Sequence, residues 1–304
     1  MSSHHGLAER NVSPALGRMA FERLTNRVDR VIGVEPVEQF LTATTNGRWQ
    51  VQEVAYDTRA KQWFDVFGDE NRRPGEWGHW TGRGMNWNSM CAECHNTRLR
   101  KNYDAATDAY HTTMDEMAVS CGACHASLDA HVAWQKAHPK SKAHDPTLPH
   151  PTPARVIGTC GSCHALRGNL TGNFVPGDSF FDHYQPQILS EGQGWYADGQ
   201  VHGEDYEFAS FLSSKMHERG VTCMDCHNPH SLRLNLPGNN LCMRCHNGAF
   251  TNAPVINPIE HGHHLAGAGG DQCVGCHMPI TVYMQRDKRR DHGFTIPDPL
   301  LTKE

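Results

Sequence analysis

The sequence predicts a chain that is mostly α-helix and coil, wrapped around a row of bound groups, with a small β element near its N-terminus. Three observations lead to this fold class. The 304 residues are only 38% hydrophobic, with a mean hydropathy of −0.61, which is a thin supply of core-forming side chains for this length. All 12 cysteines fall in motifs of one kind. The region before the first motif contains a hairpin signal.

The cysteine motifs identify the bound groups. Two Cys-x-x-Cys pairs, at 223 and 242, have the spacing of a four-thiolate zinc site, and a disulfide framework is another use of paired cysteines. Neither use needs the histidine that follows every pair, whereas Cys-x-x-Cys-His is the attachment motif of c-type haem. The six motifs are CAECH (91–95), CGACH (121–125), CGSCH (160–164), CMDCH (223–227), CMRCH (242–246) and CVGCH (273–277). The sequence therefore predicts a multihaem cytochrome c fold, in which six covalently attached haems form the apolar core.

Each motif supplies two thioether bonds and one axial iron ligand. The thiols that add to the haem vinyl groups are Cys91, Cys94, Cys121, Cys124, Cys160, Cys163, Cys223, Cys226, Cys242, Cys245, Cys273 and Cys276. The histidine after each pair is the proximal ligand, and this set is His95, His125, His164, His227, His246 and His277.

The ligand on the opposite, distal face of each iron decides what the haem can do. A Met raises the potential, a second His lowers it, and an empty position allows catalysis. Of the 22 histidines, 16 are not proximal, so bis-His ligation at most haems is the economical interpretation. His230 lies too close to its own motif to reach the distal face of the same haem, so we expect it to ligate a neighbouring haem. The other distal candidates are His217, His131, His183, His292 and one of His261, His263 and His264.

The chain divides into two regions by its motifs. Residues 1–90 contain none, and within 40–57 the dipeptide Asn46-Gly47 separates two strand-like runs, which predicts a β-hairpin. Residues 91–304 form the haem-binding body. We expect helices over 117–138 and 205–220 and a loop over 138–153.

The charge of the chain limits its partners. The formal net charge is −5, and haem propionates would add to it, which argues against nucleic acid and anionic membranes. No apolar run approaches the roughly 18 residues of a membrane helix. The basic run at 286–292 has two interpretations, as partner of propionates or as a solvated surface. The start, MSSHHGLAER, has no signal-peptide pattern, whereas haem attachment takes place outside the bacterial cytoplasm. We therefore expect an exported protein, periplasmic or extracellular, whose leader lies outside this sequence.

Several longer segments resemble one family. They include WTGRGMNWNSMCAECHNTRLRKNYD (80–104), VSCGACHASLDAHVAW (119–134) and CVGCHMPITVYMQRDKRRDHGF (273–294). These segments resemble bacterial multihaem c-type cytochromes that are often fused to tetratricopeptide repeats. Through CHMP at 276–279 they are also similar to the wider group of multihaem cytochromes and pentahaem nitrite reductases.

The resemblance implies an exported, haem-packed electron carrier. Family members carry a haem motif before an SHH-like segment, and this chain begins at such a segment, which adds weight to His5 as a distal ligand. The candidates that the resemblance supports are His131, His183, His217, His230, His263 or His264, and His292.

Two functions follow from these features. The first is electron transfer between redox partner proteins or extracellular acceptors, as a shuttle or as a subunit of a self-associating filament. The alternative is an oxidoreductase that acts on a small nitrogen or sulfur compound at one open haem. The related nitrite reductases use Cys-x-x-Cys-Lys at the active haem, and all six motifs here end in His. This favours a carrier over an enzyme.

Overall fold

The computed structural model describes residues 27–148, 150–187, 194–203, 207–265, 267–268 and 270–301. The chain divides into two compact units between Trp87 and Asn88. The boundary expected from the motifs, after residue 90, lies close to this division. Unit one is described from residue 27, and unit two carries all six motifs.

Unit one is built on a four-stranded antiparallel sheet in the order β1-β2-β3-β4. The strands are β1 Arg30–Ile32, β2 Val37–Ala43, β3 Trp49–Asp57 and β4 Gln62–Asp65. The predicted hairpin is present as β2 and β3, with Ala43 opposite Trp49 at the turn. Asn46 and Gly47 both have positive φ, at 56° and 70°, which these two residue types tolerate better than others. The connection spans residues 44–48, so it is longer than a two-residue turn.

One face of this sheet forms the core of unit one. Val51 and Ala55 are buried on the same side of β3, as the two-residue period of a strand requires, and Leu41 and Phe64 are buried on the neighbouring strands. Trp87 is also buried, and its amide donates to the carbonyl of Trp49 at 2.8 Å. Unit one thus has an ordinary core made of side chains.

Unit two is made of short helices and two-stranded hairpins. Its helices among the described residues are α1 Ala92–His95, α2 Cys121–Cys124, α3 Asp129–Ala137, α4 Pro153–His164, α5 Phe180–His183, α6 Glu207–Leu212, α7 Lys215–Glu218, α8 Cys223–Cys226, α9 Asn240–His246, α10 Pro258–Gly262 and α11 Cys273–His277. Its antiparallel hairpins are β5 Tyr103–Asp104 with β6 Ala109–Tyr110, β7 Arg167–Asn169 with β8 Tyr184–Pro186, β9 His227–Asn228 with β10 Arg233–Leu234, and β11 Ile280–Tyr283 with β12 Asp287–Arg290.

Two helices expected from the sequence are each broken in the structure. The segment 117–138 forms α2 and α3, because His125 takes an extended conformation at the end of α2. The segment 205–220 contains α6 and α7, which are separated at Ser214. The Ser214 hydroxyl accepts from the amide of His217 at 3.2 Å, so it caps α7 rather than continuing α6. The expectation of single helices was wrong: at Ser214 the capping hydrogen bond outweighs the helical period, and at His125 the extended backbone ends the helix.

The side-chain core of unit two is confined to its middle part. The helices α4, α5 and α6 and the strand β8 bury one cluster, which contains Ile157, Ala165, Phe180, Tyr184, Phe208 and Phe211. Beyond Phe211, none of the described apolar side chains is buried. That part of the chain carries three motifs and leaves Leu232, Val255 and Leu265 largely exposed. No helix in the described ranges is both long and apolar enough to cross a membrane.

Candidate functional site

Each Cys-x-x-Cys-His motif forms about one turn of helix. The two cysteines are three residues apart, and side chains three or four apart lie on the same face of a helix. In α11 the turn runs from Cys273 to His277, so it includes the whole motif. In α2 and α8 the turn ends at the second cysteine, and His125 and His227 take extended conformations directly after it. Every motif therefore presents its two thiols from one side of a short, local element.

The thiols are reduced, and some of them contact a neighbouring motif: Sγ of Cys94 donates to the carbonyl of Cys163 at 3.7 Å. All 12 cysteines are described, each is partly or largely exposed, and none forms a disulfide. Among the described residues, no group of three or more His, Cys, Asp or Glu side chains is arranged to hold a metal ion. An iron held in a porphyrin needs only two protein ligands, on opposite sides. The arrangement of the thiols and imidazoles fits that requirement.

Three histidines of the Cys-x-x-Cys-His motifs each face another imidazole across a gap. The rings of His125 and His230 have centres 6.1 Å apart and planes inclined by 8°. The corresponding values are 6.2 Å and 28° for His227 with His292, and 5.9 Å and 15° for His261 with His277. In each pair one member belongs to a motif and the other does not.

The separation of these rings suits two ligands on opposite sides of one metal. A metal–imidazole bond is about 2.0–2.1 Å long and the ring centre lies roughly 1.1 Å behind the nitrogen, so such ligands have centres about 6.3 Å apart. A direct stack is tighter, as His144 and His150 show at 4.4 Å. The rings of the three wider pairs are therefore too far apart for a direct stack of this kind, although their planes are inclined by at most 28°.

Hydrogen bonds fix the tautomer of several candidate ligands. Nδ1 of His292 lies 2.8 Å from the carbonyl of Arg290, and Nδ1 of His217 lies 3.0 Å from that of Leu212. A carbonyl only accepts, so Nδ1 carries the proton and Nε2 keeps the lone pair that binds a metal. The motif histidines His246 and His277 have the same arrangement, with Nδ1 toward the carbonyls of Pro254 and Thr295. Burial lowers the pKa of His292, which favours the neutral form that a ligand needs.

His230 is placed by the hairpin that follows motif four. The strands β9 and β10 pair His227 with Leu234, so His230 lies in the loop between them. The side chain of Asn228 accepts from the backbone amides of His230 and Ser231, both at 3.0 Å, and closes this loop. His230 therefore points to the histidine of motif two rather than to its own motif.

The remaining distal candidates fit to different degrees. Nδ1 of His131 meets a carboxylate oxygen of Asp145 at 2.7 Å, which leaves Nε2 available. His183 fits less well, because its Nδ1 contacts the Thr171 hydroxyl at 2.6 Å and its Nε2 lies 3.2 Å from Asp178. His5 lies outside the described residues.

Near motif six the structure favours His261 over its neighbours. The sequence left His261, His263 and His264 open, and the resemblance supported the latter two. His261 lies on α10 and its ring faces His277, whereas His263 ends the helix with a φ of 54°. Which of the three rings faces His277 depends on where this five-residue helix begins, and no pattern in the sequence indicates that position.

A buried ion pair holds motif one against motif three. Glu93, inside motif one, lies 3.4 Å from Arg167, whose Nε donates to the carbonyl of Ser162 inside motif three at 2.8 Å. Asn169 donates to the Glu93 carboxylate at 2.6 Å. Burial raises the pKa of Glu93, but the charges of Arg167 and Lys101 and the Asn169 hydrogen bond outweigh this, and the pKa is lowered. The first and third motifs are therefore in direct contact, although they are 69 residues apart from Cys94 to Cys163.

Hydrogen bonds also connect the last three motifs. Arg244 of motif five lies 3.4 Å from the carbonyl of Asp225 in motif four. The side chain of Asn239, at the start of α9, accepts from the amide of Cys273 at 2.9 Å. Arg290 donates to the carbonyls of Val274 and Met278, at 2.9 and 2.8 Å. Within the basic run at 286–292, Arg290 thus supports the helix of motif six instead of forming part of a solvated surface.

The residues present fit a c-type haem at these motifs. The segment that holds motifs four to six combines three features. These are paired thiols, imidazoles with an available Nε2, and exposed apolar side chains. A porphyrin would cover the apolar side chains, because it is itself large and apolar. The low hydrophobic content of the chain agrees with this use of the cofactor as core.

Comparisons with known proteins give one structural match. No family model and no curated protein matches the chain. In overall structure it is similar to the crystal structure of the outer cell wall cytochrome OcwA, with a TM-score of 0.56 and 15% sequence identity. The match covers 88% of this chain and 67% of that one. At 15% identity the similarity shows the fold alone, and the chain shares the fold of this cytochrome.

Proposed function

We propose that this chain is a hexahaem c-type cytochrome that transfers electrons through closely spaced haems, most of them with two histidine ligands. The observation that carries the proposal is the set of three near-parallel imidazole pairs, with ring centres 5.9–6.2 Å apart, each containing one motif histidine. The six thiol pairs supply the covalent attachment.

The residues divide into two roles. The motif cysteines would hold each haem by thioether bonds, and the motif histidines would be its proximal ligands. His230, His292 and His261 are the proposed distal ligands for the haems of motifs two, four and six. His131 and His217 are further distal candidates, since the hydrogen bond at Nδ1 leaves Nε2 available in both. The bound haem supplies a one-electron change at iron, and the chain sets its ligands and its surroundings.

Electron transfer is favoured over catalysis by the ligation. An iron with two histidines has no open position for a substrate. The contacts between motifs one and three, and between motifs four, five and six, would bring their haems close together. Short distances between haems are what a carrier needs.

The chain is proposed to work outside the cytoplasm. Thioether attachment and the fold shared with an outer cell wall cytochrome both support export to the periplasm or the cell exterior. Its partners would be redox proteins or extracellular acceptors, and a filament of identical subunits is one assembly to test. The acidic charge disfavours nucleic acid as a partner.

Low-temperature EPR of the oxidised, haem-loaded protein tests this function. Low-spin signals are expected from all six haems, and most of these signals should be of the bis-His type. A high-spin signal that shifts on addition of nitrite, hydroxylamine or sulfite would contradict a pure carrier and support the oxidoreductase instead. His230→Ala is the matched control, because it should create one high-spin haem and so show that such a signal is detectable.

A further inference from the structure

Asp145 is a buried carboxylate in an otherwise exposed loop. It lies in the segment between α3 and α4, which is rich in Lys, His and Pro, yet its side chain is only 5% exposed. One oxygen, Oδ2, accepts from Nδ1 of His131 at 2.7 Å. The other, Oδ1, accepts from the amide of Thr147 at 2.8 Å and from its hydroxyl at 2.6 Å. Both oxygens are therefore engaged, and the loop is folded to present one of them to His131.

The partner of His131 differs in kind from the partners of four other histidines that are held through Nδ1. His217, His246, His277 and His292 each donate from Nδ1 to a neutral backbone carbonyl. His131 donates to a carboxylate, and a hydrogen bond to an ionised acceptor is shorter and stronger than a neutral one. Because the carboxylate side chain is only 5% exposed, the effect of its charge on the ring is screened less by salt than that of a surface charge.

A carboxylate behind an imidazole changes the opposite nitrogen. Donation from Nδ1 to a negative acceptor raises the electron density of the ring and makes Nε2 a more basic ligand. A more strongly donating ligand stabilises ferric over ferrous iron and lowers the potential of the haem that it binds. In the alternative interpretation Asp145 only connects the loop to α3. Its charge would then have no effect on the potential of any haem.

We propose that Asp145 is a positioning residue that holds His131 with Nε2 outward and lowers the potential of the haem that His131 ligates. This inference rests on the proposed function, because it requires His131 to be an axial ligand. The haem bound by His131 then lies at the low-potential end of the series, below haems whose ligands face carbonyls. The chain would thereby set the direction in which electrons move along the haems.

Spectropotentiometric titration of the haem-loaded full chain tests this role with two variants. Asp145→Asn keeps the shape and an oxygen acceptor but removes the charge, so the midpoint potential of one haem should rise while six low-spin haems remain. Thr147→Val is the matched control. It removes the hydroxyl donor to Oδ1 and leaves the bond to His131, so the same haem should stay at its potential or move lower.

The outcomes separate this inference from the function on which it rests. Six low-spin haems with unchanged potentials in Asp145→Asn would overturn the role of Asp145 and leave the cytochrome intact. An equal upward shift in Thr147→Val would also overturn it, because the loop rather than the charge would then be the cause. His131→Ala should make one haem high-spin, and a spectrum that stays fully low-spin would refute the ligand itself. A purified protein without haem would instead contradict the proposed function.

Discussion

Glu93→Ala should destabilise unit two by removing the buried contact between motifs one and three. The Glu93 side chain is 18% exposed and that of Arg167 is 7% exposed, so both charges are largely shielded from water. Removing one partner of a buried ion pair costs about 3–5 kcal/mol, because the other charge stays buried. Arg167 keeps its bond to Ser162, and Lys101 is 33% exposed and can be solvated. We therefore expect the lower end of this range, about 3 kcal/mol. Glu93→Gln keeps an acceptor for Asn169 and should cost about 1–2 kcal/mol.

Guanidinium unfolding of the haem-loaded protein, followed by circular dichroism, measures this effect. With a slope of about 4 kcal/mol per M, a loss of about 3 kcal/mol lowers the midpoint by about 0.7 M. Asp115→Ala is the control, because Asp115 also pairs with an arginine, Arg98 at 3.3 Å, but is 58% exposed. An exposed pair contributes about 0–1 kcal/mol. Equal midpoints for Glu93→Ala and Asp115→Ala would refute the reasoning.

Three further substitutions test the ligands and the support of motif six. His230→Ala should convert one haem to high spin in EPR while all six stay attached; an unchanged spectrum would remove His230 from the ligand set. His261→Ala should do the same for another haem and His264→Ala should not, and the reverse result would show that the ring facing motif six has been misassigned. Arg290→Ala removes the side-chain donor to the carbonyls of Val274 and Met278, of which Val274 keeps the amide of Met278, and should cost about 1–3 kcal/mol in guanidinium unfolding. The exposed neighbour Lys288→Ala should cost little, and equal losses would contradict a specific role for Arg290.

The features that the sequence predicts well are local. The Cys-x-x-Cys-His motifs carry their thiols and histidine within five residues, and the turn around Asn46-Gly47 lies within the five residues 44–48, so neither needs information from the rest of the chain. In each case a short-range constraint leaves few alternatives. The assignment of His230 to a haem other than its own stays a prediction, and the ring of His230 lies opposite that of His125 in motif two.

The helices were harder to predict because the helical period of apolar residues is weak in this chain. A helical period of apolar residues marks a face that packs on other side chains. In much of unit two the described side chains bury little against each other, so the period is weak and a single hydrogen bond decides where a helix ends. Ser214 and His125 both interrupt segments whose composition favours helix.

The contacts that support the sites come from distant parts of the chain and have no pattern in the sequence. Glu93 meets Arg167, and His131 meets Asp145 across a helix end and a loop. Each of these side chains is of a type that is normally solvated. Only the three-dimensional structure shows that they are paired and largely shielded from solvent. The same holds for His261, whose selection over His264 depends on the orientation of a short helix.

The haem content of the purified protein is the most direct test of the central claim. The pyridine haemochrome assay, set against the protein concentration of a chain of 34.0 kDa, counts covalently bound haem. The six motifs predict six haems per chain. A protein that folds without haem, or that binds zinc at the thiols instead, would contradict the account at its foundation.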